Sequence, residues 1–100
     1  MERTKKNARR ELFEGVLALR DVNECEQFFQ DLCSPSELEA LSDRWRVAKL
    51  VAQKKPYRQI YRKTGVSTAT VTRVARALQY GVGGFRLLLE RLESSSRIRS

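Results

Sequence analysis

A chain of 100 residues with a net charge of +8 has room for one small domain with a modest core. No run of 18 apolar residues is present to cross a bilayer. With no histidine and only two cysteines, a zinc or other metal site has no ligand set. No nucleophile stands near a base and no glycine-rich phosphate loop occurs, so an enzyme is not expected.

The charge is unevenly laid out. Residues 1–10 hold five basic residues and one acidic, and residues 11–43 hold nine acidic residues against the single Arg20. Residues 44–80 then carry ten basic residues and no carboxylate. Such a stretch is the footprint of a polyanion partner. A membrane surface would need a bulky apolar helix face beside the charge, which the basic segments lack, so nucleic acid is the expected partner. A basic N-terminus without the apolar core of a signal peptide places the chain in the cytoplasm.

Residues 1–7 read as a flexible basic arm, able to reach a phosphate backbone or simply solvated. From Ala8 to Arg20, Leu12, Phe13, Val16 and Leu17 recur at helical spacing. Asn23 with Glu26 predicts the cap of a second helix, whose apolar face holds Cys25, Phe28, Phe29, Leu32 and Cys33. The two cysteines are about 12 Å apart on that helix, too far for a disulfide, and read as buried thiols in a reducing compartment. Ser34, Pro35 and Glu37 form a strong helix start, and Pro56 stops that helix after about Gln53 or Lys54. It has two apolar stripes, one of Leu38, Leu41, Trp45, Ala48 and Ala52, the other of Val47, Leu50 and Val51. A helix apolar on two sides is buried on two sides, within its subunit and against a partner chain.

Tyr57 to Leu78 carries the functional signal. A short helix, a turn at Thr64–Ser67 and a longer helix follow one another, about residues 57–80. Gly65 supplies the positive φ that ends the first helix, and the Ser67 hydroxyl caps the second. Val71, Val74, Ala75 and Leu78 make the inward stripe, while Ala69, Thr72, Arg73 and Arg76 face out. Ile60, Thr64 and Val66 form the seam between the helices. This is the helix-turn-helix layout of a DNA reader, with an ordinary helical hairpin and solvated cations as the bland alternative. Glycines at 81, 83 and 84 lead to a last helix with Phe85, Leu88, Leu89 and Leu92, and residues 94–100 read as a disordered tail. Tyr57, Tyr61 and Tyr80 read as partly buried, leaving no aromatic platform for single-stranded RNA. A protein-interaction adaptor using the acidic-aromatic stretch Glu24–Asp31, with weak non-specific nucleic-acid binding, is the second functional class.

The run SPSELEALSDRWRV from Ser34, the run YRQIYRKTGVSTATVTR from Tyr57 and the following ARAL resemble the tryptophan repressor superfamily. ECEQFFQDLC, GVSTATVTRV and ALQYG are most similar to its YerC/YecD subgroup. The resemblance implies an all-α, six-helix fold over residues 8–93, an intertwined homodimer, and two helix-turn-helix units in successive major grooves. It places Arg58, Gln59 and Arg62 near phosphates and Thr68, Ala69 and Thr72 near bases. Together with Ser67, Arg73 and Arg76 these are the expected DNA contacts. In tryptophan-sensing members the indole lies between arginines matched by Arg44 and Arg73, near positions matched by Ser34 and Thr70. Here Val74 replaces the glycine that follows the second arginine, and the turn is one residue shorter. Tryptophan is therefore not the expected corepressor, no cofactor is expected, and any effector is unspecified.

Overall fold

The computed structural model describes residues 4–99, with side chains through Ser95. Six α-helices and no strand occur among the described residues: α1 (Lys5–Leu17), α2 (Val22–Leu32), α3 (Pro35–Ala52), α4 (Tyr57–Thr64), α5 (Thr68–Tyr80) and α6 (Gly84–Arg99). One compact unit ends at Leu38 and a second begins at Glu39.

In the first unit, side-chain caps set the helix starts. Thr4 Oγ1 accepts from the Asn7 amide at 3.1 Å, so α1 begins at Lys5, not at Ala8 as expected. Residues 4–7 therefore belong to the cap and helix, and the rest of the expected arm, residues 1–3, lies outside the described residues. Asp21 Oδ1 accepts from the Glu24 amide at 2.8 Å and Glu24 Oε1 accepts from the Arg20 amide at 2.9 Å. Asp21, not Asn23, is thus the cap of α2, because its carboxylate and Glu24 satisfy amide donors in both directions. Phe28 and Phe29 meet edge to face at 5.3 Å. No residue of α1 or α2 is buried. Phe13 is 61 % exposed, Leu17 85 % and Val22 79 %. Cys25 is likewise exposed and Cys33 half-buried, both as free thiols. The expectation of two buried thiols fails because their apolar stripe stays open in the single chain.

The start of α3 is the reciprocal box anticipated for it. Ser34 Oγ accepts from the Glu37 amide at 3.2 Å and Glu37 Oε1 accepts from the Ser34 amide at 2.8 Å. The Ser34 amide, and after it the hydroxyl, hold the Glu37 carboxyl below its ordinary 4.5. At the other end, Lys54 adopts φ +64° and the Lys55 amide donates to the Leu50 carbonyl at 3.2 Å. Pro56 then starts the approach to α4.

The second unit contains the core. Val47, Ala48 and Leu50 of α3, Ile60 of α4, and Val71 and Val74 of α5 are buried together. Trp45, Val51, Tyr61, Val66 and Phe85 pack around them. The buried strip of α3 thus draws from both predicted stripes, and Leu41 remains 42 % exposed. Trp45 stacks on Phe85 of α6 at 6.3 Å, with the Lys49 ammonium 5.8 Å from the indole. α5 packs on α4 and α6. Between α5 and α6, a Cβ on Gly81 would overlap the Ala77 carbonyl, so this corner requires glycine. α6 continues to Arg99; the residues from Ser94 include no proline or glycine to stop it.

Ile60→Ala should cost about 2–5 kcal/mol in chemical denaturation, since Ile60 fills the seam between α3, α4 and α5. The Glu37 contribution to α3 is present above the unfolded value of 4.5 and lost as pH falls through the lower folded value. Protection of the Ser34 amide from hydrogen exchange should fall over that acid range, and Glu37→Gln should abolish the dependence.

Candidate nucleic-acid interface

The turn joining α4 to α5 is built from four consecutive residues, each with a separate task. Gly65 takes φ +70° and its amide donates to the Tyr61 carbonyl at 2.9 Å. The Thr64 hydroxyl donates to the Ile60 carbonyl at 2.7 Å and accepts from the Val66 amide at 3.1 Å. Val66 tucks its side chain against the core. Ser67 Oγ caps α5 by accepting from the Thr70 amide at 3.2 Å, and bonds the Thr70 hydroxyl at 3.0 Å. These bonds give partners to the Gly65, Val66 and Thr70 amides and to the Thr64 and Ser67 hydroxyls, groups that the turn takes out of the helical ladder. Thr64, anticipated as part of the packing seam, also bonds through its hydroxyl.

Burial on one side of α5 decides what the other side presents. Val71 is fully buried and Val74 is 2 % exposed. Thr68, Ala69, Thr72, Arg73 and Arg76 are exposed along the opposite edge. Ser67 at the cap and Arg58, Gln59 and Arg62 on α4 are exposed as well. All nine expected DNA contacts are therefore accessible, and they belong to one unit. The edge has the slender side chains that let a helix backbone approach base edges, and cations for phosphates. No carboxylate occurs from residue 44 to residue 80 to oppose them.

Tertiary packing also redirects two cations of that stretch. Arg46 Nη2 of α3 donates to the Lys63 carbonyl in the last turn of α4 at 3.3 Å. Lys49 sits over Trp45. A third cation, Arg86 of α6, donates through Nε to the Leu78 carbonyl of α5 at 2.9 Å. Sequence inspection gives no signal for the two arginine contacts, because partners 17 and 8 residues apart on different helices share no local pattern. Two tyrosines also depart from expectation: Tyr80 is 74 % exposed and Tyr57 44 %, each lying at a helix end, away from the core strip. Tyr61 is half-buried against the core.

Residues 8–93 match the family described as Trp repressor protein. The chain belongs to the Trp repressor family. It is 40 % identical over 92 residues to the uncharacterized protein YerC of Bacillus subtilis (strain 168), covering 87 % of this chain and 88 % of that one. A crystal structure of a candidate Trp repressor from Staphylococcus aureus is 42 % identical with a TM-score of 0.84, covering 87 % of each chain. A TrpR-like protein from Eubacterium eligens ATCC 27750 is 43 % identical with a TM-score of 0.85, covering 89 % of this chain and 92 % of the other. Membership makes this chain a DNA-binding regulator in kind, from a family of regulators and not of enzymes. No helix among the described residues is long and apolar enough to cross a membrane.

Of the four residues matched to the family's tryptophan pocket, two have hydroxyl partners: Ser34 caps α3 and Thr70 bonds the Ser67 hydroxyl. Arg44 is half-buried and Arg73 is exposed on the α5 edge. Val74 spends its methyl groups in the core.

Thr64→Val should cost about 1–3 kcal/mol in thermal or urea unfolding, because it strands the partly buried Val66 amide. Gly65→Ala should cost about 1 kcal/mol, the penalty for a Cβ in left-handed backbone.

Proposed function

We propose that this chain is a sequence-specific transcriptional regulator of double-stranded DNA, a repressor that acts by occluding its operator as a homodimer. The observation that carries this reading is the exposed Thr68–Arg76 edge of α5, backed by buried Val71 and Val74 within a carboxylate-free stretch. Arg58, Arg62, Arg73 and Arg76 neutralise phosphates and supply most of the affinity. Thr68, Ala69 and Thr72 approach bases through close apolar contact with thymine methyls and through bridging water. Groove shape supplies the remaining discrimination.

Support for a dimer comes from the first unit. A small chain that leaves Phe13, Leu17 and Val22 mostly exposed and buries nothing on α1 or α2 has apolar surface that a second copy would cover. Two α5 helices would then read half-sites about one helical turn apart. The capping role of Ser34 and the Ser67–Thr70 hydroxyl bond, with Val74 in the core, favour a regulator without a tryptophan corepressor.

Arg76→Ala should weaken binding to a duplex selected from a random pool and make its log–log salt slope shallower by about 0.9. An unchanged slope would remove Arg76 from the DNA face, and a specific-to-scrambled affinity ratio near one would favour the adaptor reading. Leu17→Ala should lower the apparent melting temperature more strongly at low protein concentration, as a dimer requires, with sedimentation showing the shift toward monomer.

A further inference from the structure

The stretch from residue 44 to 80 holds ten cations, of which Arg58, Arg62, Arg73 and Arg76 are the expected DNA contacts. Arg46 differs from the rest. Its guanidinium reaches from α3 to the Lys63 carbonyl at 3.3 Å, one of the last-turn carbonyls left without a partner inside α4. That end of the helix carries the negative pole of the backbone dipoles, so a cation there is doubly favoured. The contact sits immediately before the turn, since Thr64 ends α4 and Gly65 follows it. Arg86 repeats the arrangement on the next helix, donating from α6 to the Leu78 carbonyl of α5 at 2.9 Å. Each reading helix is thus gripped at its C-terminal turn by an arginine of a neighbouring helix.

From these paired grips we infer that Arg46 and Arg86 are positioning residues for DNA reading, and that Arg46 is not a phosphate ligand despite its place in the basic stretch. The inference rests on the proposed DNA-reading function. Apolar packing at Ile60, Val71 and Val74 fixes depth and which face of α5 turns inward but defines small slides and tilts less sharply, because each dispersion contact is weak. A charge-assisted hydrogen bond to one carbonyl does have direction. Together the grips orient α4 and α5 against α3 and α6, so that Thr68, Ala69 and Thr72 meet base edges in register. Base readout is sensitive to such small displacements, while phosphate attraction is not.

That difference supplies the test. Affinities of the full-length chain for a duplex selected with the wild type, and for a scrambled duplex, are measured across a salt series, with melting curves showing that each variant is folded. Arg46→Met should lower the specific-to-scrambled ratio about tenfold while leaving the salt slope unchanged, and Arg46→Lys, which keeps a cationic donor, should restore most of the ratio. Arg86→Met should behave as Arg46→Met does. A slope shallower by about 0.9 with an unchanged ratio would make Arg46 a phosphate ligand and overturn the inference. So would Met variants that alter neither quantity. If Arg46→Met does not fold, Arg46→Gln, which removes the charge, takes its place and is read in the same two quantities: a lower ratio at an unchanged slope supports positioning, and a shallower slope, or no change in either, refutes it. A wild-type ratio near one would instead defeat the DNA-reading proposal itself, whereas a discriminating wild type with unaffected variants defeats only the positioning roles.

Discussion

The burial of Val71 and Val74 against Val47, Ala48 and Leu50 of α3, with Ile60 closing the wedge, is the contact on which the second unit depends. Removing these side chains from water drives the association of α3, α4 and α5. It also settles the rotation of α5 about its own axis. Once the two valines point inward, the helical period forces Ala69, Thr72, Arg73 and Arg76 outward. The same few side chains therefore create the core and define the face proposed to meet DNA.

Electrostatics and hydrogen bonding refine what the apolar contact begins. Within the turn, Thr64 and Ser67 match amides and hydroxyls that would otherwise be stranded, and Gly65 permits the left-handed step. Arg46 and Arg86 reach across helices to carbonyls at the ends of α4 and α5. In a small unit such directional bonds matter because the core alone supplies little angular definition. Trp45 stacked on Phe85 ties α3 to α6, and Lys49 lies over the same indole from within α3. The basic stretch thus holds cations engaged by other parts of the fold, Arg46 and Lys49, as well as those beside the α5 edge, all of them exposed.

The first unit has the opposite character. Its helices are well capped, by Thr4 and by the Asp21–Glu24 pair, yet they bury nothing of their own. Caps define where a helix begins but contribute little cohesion between helices. Phe13, Leu17 and Val22 remain open to solvent, which is the physical basis for the proposed second copy.

Much of this molecule is written locally. The Ser34–Glu37 box, the Gly65 turn, the Ser67 cap and the Val71–Val74 stripe all follow from residue types at fixed short spacings, since their partners lie within one or two helical turns. The outward set on α5 follows from the same periodicity. Tertiary structure decided the rest. It exposed Cys25 and Tyr80, drew the buried strip of α3 from both predicted stripes, and moved Arg46 and Arg86 onto backbone carbonyls of other helices. None of these is legible in a periodic pattern, because periodicity reports only how residues divide around their own helix. Which face is covered, and by which distant atom, depends on how separate helices come together, and that is settled only when the chain folds.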